Sequence, residues 1–476
     1  MTETVSADYL VIGAGAMGMA FVDTLLTDTR ATFAVVDRWH RPGGHWNTAY
    51  PFVRLHQPSA YYGVNSRPLG ENKIDVAGWN KGLHELATND EVLAYYDKVL
   101  NHTFLPSGRV AYYPKCDYTG GGEFRSLVSG KKFSVGKETR IVDATYMRVK
   151  VPSMAPPKYG VADDVKLVTP NDLTKISRPY ANYTVVGAGK TGMDANLWLL
   201  AAGVDPSKIT WIMPRDSWLL PRHIAQPKTP KFAEPIEKDQ KLTEEVIMAA
   251  TSAADLLRRL EAGGQLMRLT GEVWPTMFRC ASVSLIELDA LRKIPNVVRL
   301  GRVRHIGAGK VTLEGGKLTP APDTLYVDCT ADGLEKRPAV PVFDGGSNTI
   351  TLQAVRACQQ VFSAAFIAHV EAAYGDGDGD GALKNELCRP IPHPTLPLDW
   401  LVTRAHDYTD MMQWYSEPKL AAWLAEARLD WFGKWAPPLP DHPEERAAAG
   451  QARVAKTKAL RGKLQQLLDE EKAGEA

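Results

Sequence analysis

Residues 183–195 read YTVVGAGKTGMDA, and their Gly-Lys-Thr triplet resembles the end of a phosphate-binding P-loop. A P-loop requires another glycine five residues before the Gly-Lys pair, and Thr184 occupies that position. Read instead as G-x-G-x-x-G, the stretch supplies Gly187, Gly189 and Gly192 between an apolar run and a helical pattern. This context predicts a dinucleotide-binding turn.

A second copy of this turn lies near the N-terminus, where Gly13, Gly15 and Gly18 follow the apolar run YLVI at residues 9–12. In such turns the first glycine bends the chain and the second lets a pyrophosphate approach the backbone. The third lets the helix pack closely on the strand. Two copies, each between a strand and a helix, predict two dinucleotide-binding units.

The residue after the second strand of each unit indicates which nucleotide is bound. Asp37 ends the run FAVV, where a carboxylate can accept hydrogen bonds from both ribose hydroxyls of FAD or NAD. In the second unit Arg215 follows the run ITWIM, and Arg222 follows after a short loop. Guanidinium groups there favour the 2′-phosphate of NADPH. Asp216, next to Arg215, leaves NADH as the alternative.

Composition limits the classes of partner. The 476 residues exceed the usual size of one core, and 56 basic against 55 acidic residues give a formal net charge of +1. We therefore expect a small-molecule substrate and no nucleic acid. The N-terminus has no signal-peptide pattern, and no apolar run of 18 residues predicts a membrane span. The five cysteines are widely spaced, which predicts reduced thiols and a cytoplasmic chain.

The chain organisation predicts an α/β fold with two Rossmann-type domains. The pattern Val-Asp-x-Thr occurs at residues 142–145 and again at 327–330. We interpret these echoes as the exit from the first domain and the return to it. The prediction is therefore an FAD-binding domain with a second, NAD(P)H-binding domain inserted, followed by a proline-rich linker and a mainly helical C-terminal extension. The expected boundaries are 1–155, 156–324, 325–385 and 386–476.

Five stretches resemble the flavin-containing monooxygenase superfamily, which includes the YUCCA enzymes and is related to Baeyer–Villiger monooxygenases. They are the two fingerprints, GGHW at residues 43–46, RLHQPS at 54–59 and PRDSWLLPR at 214–222. The resemblance implies an enzyme that uses FAD, NADPH and O₂ to insert one oxygen atom into a small organic substrate through a flavin hydroperoxide. It implies catalytic candidates Arg54, His56 and Gln57. The cofactor-binding candidates are Gly13, Gly15, Gly18, Asp37, Arg38, Gly44, His45, Trp46, Gly187, Gly189, Lys190, Thr191, Gly192, Arg215, Trp218 and Arg222.

The chain also departs from the pattern of that superfamily. Thr169 stands where a histidine is expected before the second fingerprint, and the Ala-Thr-Gly turns read Ala-Thr-Tyr at 144–146 and Cys-Thr-Ala at 329–331. An NAD(P)H-dependent flavoprotein reductase or dehydrogenase without oxygen insertion is therefore the alternative function. A nucleotide-sensing scaffold without activity is a third interpretation.

Three further stretches have weaker interpretations. Residues 375–381 begin like a calcium loop, but Leu387 occupies its twelfth position, so we expect a flexible loop and no metal site. Five tryptophans between residues 400 and 435 either pack on the core or roof a substrate pocket. The tail spaces apolar side chains at near-helical intervals, which suits docking on the chain or a homodimer contact. These side chains are Val454, Leu460, Leu464, Leu467 and Leu468.

Overall fold

The computed structural model describes residues 2–331, 333–375, 380–435 and 440–475. Two sheets, each with a run of parallel strands and covering helices, are followed by a helical C-terminal region. This confirms the predicted α/β fold with two Rossmann-type units. Residues 376–379, in the stretch that begins like a calcium loop, lie outside the described residues.

The first part of the chain contains nine strands and two helices. The strands are β1 (Thr2–Val5), β2 (Tyr9–Ile12), β3 (Phe33–Asp37), β4 (Val110–Pro114), β5 (Cys116–Gly120), β6 (Glu123–Ser126), β7 (Lys132–Val135), β8 (Arg140–Asp143) and β9 (Val149–Lys150). The helices are α1 (Ala16–Asp28) and α2 (Asn89–Val99).

The second part builds the other Rossmann-type unit. Its strands are β10 (Gly160–Val161), β11 (Leu167–Val168), β12 (Asn182–Val186), β13 (Ile209–Ile212), β14 (Ser217–Pro221), β15 (Met277–Val283), β16 (Asn296–Val298), β17 (Val303–Gly307), β18 (Lys310–Leu313), β19 (Gly316–Leu318) and β20 (Thr324–Asp328). Its helices are α3 (Pro170–Leu173), α4 (Lys190–Ala201), α5 (Ala233–Ala249), α6 (Ala253–Ala262) and α7 (Leu285–Leu291).

The last part returns to the first unit and then becomes helical. Its strands are β21 (Gly333–Leu334), β22 (Phe343–Asp344) and β23 (Thr349–Thr351). Its helices are α8 (Gln360–Ala373), α9 (Asp380–Leu387), α10 (Asp399–Ser416), α11 (Pro418–Glu426), α12 (Trp431–Trp435) and α13 (Pro443–Glu475).

The two principal sheets place the fingerprint strands at their centres. The first has the order β22-β23-β8-β2-β3-β4, with β22 antiparallel to β23 and the other pairs parallel. The second has the order β11-β20-β12-β13-β16 and is parallel throughout. Helices cover both faces of such sheets, which explains why the middle residues of β2 and the last four residues of β12 are buried.

The boundary between the second unit and the return segment differs from the prediction. We expect the return at residue 325, whereas β20 pairs with β12 and belongs to the second sheet. The repeated Val-Asp-x-Thr pattern does not mark the exit from the first domain and the return to it. Ile12 of β2 lies opposite Asp143 of β8, and Val186 of β12 lies opposite Asp328 of β20. The echo therefore marks equivalent strands of the two units, and the chain rejoins the first sheet only at β22 and β23.

The helices bury apolar side chains in separate cores. In the first unit α1 packs against α8, and Phe21 and Phe366 are fully buried. A third core joins α6, α10 and α13, where four leucines of the tail are buried beside Trp218. The tail thus docks on its own chain, while Val454 stays 47% exposed. Among the described residues no helix is both long and apolar enough to span a membrane.

Candidate functional site

One cavity of about 1940 Å³ brings together residues from both Rossmann-type units, the return segment and the C-terminal helices. Both glycine fingerprints line it, as do Arg54, His56 and Gln57. The two fingerprint turns that meet here begin 174 residues apart in sequence, at Gly13 and Gly187. The cavity is therefore a product of how the two units pack together.

The first fingerprint forms a tight turn at the start of α1. Gly13 has φ +101°, a conformation that favours glycine, and its N–H donates to the Val36 carbonyl at 2.8 Å. A Cβ on Gly18 would lie 2.0 Å from the Gly13 carbonyl oxygen, so this position requires glycine. Gly15 caps α1, and a Cβ on Gly44 would lie 2.9 Å from its Cα. The close approach of Gly15 and Gly44 leaves backbone, without side chains, facing the site.

Asp37 lies at the end of β3 in the cavity wall and is 4% exposed. Its carboxylate accepts the Ala14 N–H at 2.5 Å and the Trp39 N–H at 2.7 Å. Burial raises the pKa of Asp37. Asp37 thus connects the fingerprint turn to the end of β3 through its hydrogen bond with Ala14. Its predicted hydrogen bonds to a ribose would be additional.

The side chains that follow Asp37 differ in their surroundings. Arg38 extends outward to Asp117 at 3.4 Å, and 67% of its side chain is exposed. His45 lies in the cavity wall, and burial lowers its pKa to about 4, so its ring is neutral at neutral pH. Trp46 is 6% exposed, and its Nε1–H donates to the Tyr62 hydroxyl at 2.8 Å. His45 and Trp46 together form a shielded part of the wall.

The segment from Arg54 to Gln57 lines the cavity as one stretch. The pKa of His56 lies well below its ordinary value because the ring is buried and the positive charges of Lys190 and Arg222 are close. His56 is therefore a neutral imidazole at neutral pH. Arg54 is exposed, and one of its N–H groups donates to the Leu86 carbonyl at 3.2 Å.

The second fingerprint repeats the geometry of the first. Gly187 has φ +128° and its N–H donates to the Ile212 carbonyl at 3.0 Å. A Cβ on Gly192 would lie 2.2 Å from the Gly187 carbonyl oxygen. At Gly189, which caps α4, an added Cβ would meet no described heavy atom within 4 Å. The N-terminus of α4 therefore opens into free space, as a site for a pyrophosphate requires.

Lys190 and Thr191 also line the cavity, and Lys190 belongs to a buried polar chain that the sequence pattern does not indicate. Its ammonium group forms an ion pair with Asp194, whose other carboxylate oxygen accepts the Tyr50 hydroxyl at 2.7 Å. Burial raises the pKa of Asp194. These polar contacts join α4 of the second unit to Tyr50 of the first. They therefore help to hold the two fingerprint turns in a defined relative position.

Arg215 and Asp216 follow β13, and their side chains lie in different environments. Arg215 is exposed and lines the cavity. Asp216 is 6% exposed and accepts two hydrogen bonds from Arg299, at 2.8 and 3.0 Å. The carboxylate beside Arg215 is therefore paired with another arginine.

Two residues expected to contact NADPH are buried in the protein interior. Trp218 is fully buried and packs edge-on against Trp274. Arg222 is also fully buried. Its guanidinium donates to the carbonyls of His56 at 2.9 Å and Ser282 at 3.1 Å and pairs with Glu287 at 2.7 Å. Trp218 lies on β14 and Arg222 directly follows that strand, and neither predicted cofactor contact lines the cavity. The motif does not reveal this burial.

The expectation of reduced cysteines is also wrong for one pair. Cys280 and Cys358 form a disulfide with their Cα atoms 6.5 Å apart, and both line the cavity. Their separation of 78 residues carries no pairing signal, since only the packing of β15 near the start of α8 brings them together. Cys116, Cys329 and Cys388 are buried thiols.

The C-terminal helices contribute tryptophans to the cavity wall. Trp400, Trp431 and Trp435 line the cavity, whereas Trp414 packs on the first core against Phe366. Members of the tryptophan-rich segment therefore line the cavity, and at least one packs on the core.

Acidic side chains face the same part of the cavity. Burial raises the pKa of Asp407, on α10, to about 6, and that of Asp239, on α5, to about 6. Nothing in the local sequence of either helix indicates this placement. Among the described residues there is no cluster of three or more potential metal ligands.

Comparison with solved structures finds flavoprotein monooxygenases. A cyclohexanone monooxygenase mutant from Rhodococcus sp. Phi1 bound to NADP⁺ matches with a TM-score of 0.49 and 15% identity, over 78% of this chain and 85% of that one. A flavin-containing monooxygenase from Stenotrophomonas maltophilia matches with a TM-score of 0.41 and 14% identity, over 76% and 88%. These proteins belong to the superfamily that the sequence resembles. At this level of similarity their activities are not assigned to the chain.

Comparison of sequences finds closer relatives. No protein-family model matches the chain. The uncharacterized proteins Rv2000 of Mycobacterium tuberculosis and Mb2023 of Mycobacterium bovis are each 54% identical to it over 444 residues, which cover 93% of the chain and 81% of each relative. The chain belongs to the same protein family as Rv2000 and Mb2023.

Proposed function

We propose that the protein is an FAD- and NADPH-dependent monooxygenase that inserts one oxygen atom into a small organic substrate. The observation that carries this proposal is that two dinucleotide-type turns open into one cavity, each at the N-terminus of a helix. Two nucleotide cofactors bound there would have their reactive ends in a common space. This is the arrangement that hydride transfer from one cofactor to the other requires.

The first turn suits FAD. Gly15 and Gly44 present backbone to the site, and the buried carboxylate of Asp37 lies at the strand end where a ribose would bind. The N-terminus of α1 favours the negative charge of a pyrophosphate. His45 and Trp46 continue the wall from this turn.

The second turn suits NADPH. Arg215 is exposed in the cavity wall three residues after the end of β13 and can form paired hydrogen bonds with a 2′-phosphate. The charge of Asp216 is compensated by Arg299, which removes the repulsion expected from the sequence. NADPH is therefore favoured, with NADH as the alternative coenzyme.

The residues between the turns can shield and orient the reacting groups. A bound FAD would supply the hydride acceptance and the reaction with O₂, which protein side chains do not provide. His56 is neutral, so its ring can donate one hydrogen bond without carrying charge into the cavity. The buried Trp46 ring excludes water from the adjoining wall.

The substrate side of the cavity combines aromatic rings with polar groups. Trp400, Trp431 and Trp435 offer an apolar surface, and Asp407 lies beside them. This favours an organic substrate with an apolar part.

The alternative is a flavoprotein reductase that transfers hydride without inserting oxygen. It is favoured by Thr169, which stands where the resembling superfamily has histidine. Thr169 caps α3 and its hydroxyl contacts Asp172 at 3.2 Å, so it serves a structural role at that position.

The visible spectrum of the purified protein tests the proposal. We expect the bands of bound oxidised FAD, their loss on anaerobic addition of NADPH, and a transient band between those of reduced and oxidised flavin when O₂ is admitted. A colourless protein that gains no flavin on reconstitution would refute FAD binding. One-step reoxidation with stoichiometric hydrogen peroxide, whatever candidate substrate is added, would favour the reductase.

The variant His56→Ala tests the role of the imidazole. We expect it to shorten the transient and increase the hydrogen peroxide released per NADPH consumed. His102→Ala is a matched control because His102 is exposed and remote from the cavity lining. Equal peroxide release by the two variants would remove His56 from the oxygen reaction.

A further inference from the structure

The Cys280–Cys358 disulfide occupies the same cavity as the two proposed cofactor sites. Cys280 lies on β15 of the second unit, and Cys358 lies two residues before α8 of the return segment. Both residues are partly exposed and line the cavity, whereas Cys388 is a buried thiol outside the cavity lining. Electrons that reach the cavity therefore have access to this disulfide.

The surrounding structure holds both cysteines in an uncommon backbone conformation. Cys280 has φ +54° and Cys358 has φ +61°, values in the left-handed region that non-glycine residues seldom adopt. Such residues persist only where neighbouring elements hold them, and they concentrate at functional sites. Here the turn before α8 is held by the Ser363 hydroxyl, which accepts the N–H groups of Val355 and Arg356 at 3.1 and 3.3 Å.

The position of Cys358 also suits a thiolate. It lies at the N-terminal end of α8, a helix of 14 residues, where the partial positive charge of the helix favours an anion. Thiolates at helix N-termini are stabilised in this way. If the disulfide is reduced, the negative charge of a Cys358 thiolate would therefore be stabilised by the N-terminus of α8.

We propose that Cys280–Cys358 is a second redox centre, which exchanges two electrons with reduced FAD in the cavity. This rests on the proposed function, which supplies NADPH as the reductant of FAD. In the step, two electrons and one proton leave the anionic reduced flavin and the S–S bond breaks. Cys358 becomes a thiolate and Cys280 a thiol, while FAD is regenerated. A further NADPH then reduces FAD again, so the holoenzyme stores four electrons.

Anaerobic titration of the FAD-loaded protein with NADPH measures how many electrons the protein accepts per FAD. We expect the wild type to consume two NADPH per FAD and Cys280→Ser/Cys358→Ser to consume one. Cys388→Ser, which alters a buried thiol outside the cavity lining, is the matched control and should still consume two.

Alkylation of the same anaerobic samples gives an independent readout on the wild type alone. After NADPH is added, iodoacetamide followed by peptide mass spectrometry should label Cys280 and Cys358. Apoprotein treated with NADPH should remain unlabelled there, because the electrons pass through FAD. This measurement does not depend on whether any variant folds.

The outcomes separate this proposal from the proposed function. If NADPH bleaches the bound FAD, but only one NADPH is consumed and neither cysteine is labelled, the disulfide is a structural bridge and this proposal is wrong. If the protein takes up no FAD, its spectrum lacks the flavin bands, and both proposals are overturned. Labelling of the apoprotein to the same extent would also overturn the transfer through FAD.

Discussion

Arg215 and Arg222 are seven residues apart, yet of the two only Arg215 lines the cavity. Arg215 is exposed at the cavity, whereas Arg222 is fully buried and paired with Glu287. A sequence motif presents both as phosphate contacts. Because Arg222 is buried and donates to the His56 carbonyl, it supports the conformation of the segment that carries His56.

Replacing Arg215 by alanine should raise the KM for NADPH about tenfold or more and leave that for NADH nearly unchanged, because only NADPH carries the 2′-phosphate. Steady-state kinetics with both coenzymes measure this. Arg30→Ala, at an exposed arginine outside the cavity lining, is the control. Equal losses with both coenzymes would place Arg215 at the pyrophosphate or in the fold.

Arg222→Ala should act on stability instead. It leaves Glu287 buried without its cation, and breaking a buried pair in this way costs about 3–5 kcal/mol. Urea unfolding of the two arginine variants therefore separates their roles. An Arg222 variant with unchanged stability would contradict the buried pairing.

Asp407 makes stability depend on pH. Burial raises its pKa from 3.8 to about 6, so the folded protein holds this proton more tightly than the unfolded chain does. The associated stability is complete below pH 3.8 and is lost as pH rises through 6. Asp407→Asn should therefore raise the free energy of unfolding above pH 7 by up to about 3 kcal/mol, with a smaller gain near pH 4.

Urea unfolding across pH 4 to 8 checks the expected trend for Asp407→Asn. Asp441→Asn, which changes a fully exposed carboxylate, is the control and should be the same as wild type throughout. A gain for Asp407→Asn that does not vary with pH would show that the substitution acts by packing and not by charge.

At the scale of elements, the turn before α4 contains one glycine that folding requires, Gly192, and one that we expect ligand binding to require, Gly189. Gly192 requires glycine because an added Cβ meets the Gly187 carbonyl oxygen at 2.2 Å. Gly189 has no such restriction, since its φ of −75° suits alanine and the space around it is open among the described residues. The open space is where the pyrophosphate would lie.

Gly189→Ala should fold with a wild-type melting temperature and bind NADP⁺ at least tenfold more weakly, because the methyl group occupies the proposed phosphate site. Gly192→Ala should instead be destabilised. Thermal unfolding and calorimetric titration with NADP⁺ distinguish the two. Gly136→Ala, at another position with open surroundings, is the control. Undiminished NADP⁺ binding by Gly189→Ala would exclude this turn as the nucleotide site.

At the scale of the whole molecule, the cavity depends on segments from all parts of the chain. Lys190, Asp194 and Tyr50 join the two units, and the disulfide joins β15 to the segment before α8. The C-terminal helices close another side through Trp400 and Asp407. A ligand in the cavity therefore contacts surfaces that exist together only in the folded protein.

FAD should consequently stabilise the whole fold. A ligand that binds only the folded state at 100 times its Kd adds about 2.7 kcal/mol to the free energy of unfolding. Calorimetric unfolding with and without FAD should show this rise in the wild type. Gly15→Ala, whose added Cβ makes only an ordinary contact with Gly44, should fold but gain little from FAD. An equal gain in that variant would show that FAD binds elsewhere.

The sequence by itself determined the two Rossmann-type turns. Gly13 and Gly187 adopt positive φ values in these turns, and Gly18 and Gly192 are required because an added Cβ would meet the carbonyl oxygen of the glycine five residues earlier. Largely apolar runs beside them form the strands. Asp37 is the last residue of β3, and Arg215 follows β13 after two intervening residues. These features are readable because turn geometry and strand burial are local consequences of residue type and spacing.

Only the tertiary structure decided which side chains reach the cavity. Trp218 and Arg222 belong to a readable motif but turn inward, and Cys280 and Cys358 meet across 78 residues. Asp407 enters the wall because α10 packs near both units. Burial and pairing of this kind depend on contacts between elements that are distant in sequence. A local pattern cannot specify them, because the same helix or strand can present a side chain inward or outward depending on what packs against it.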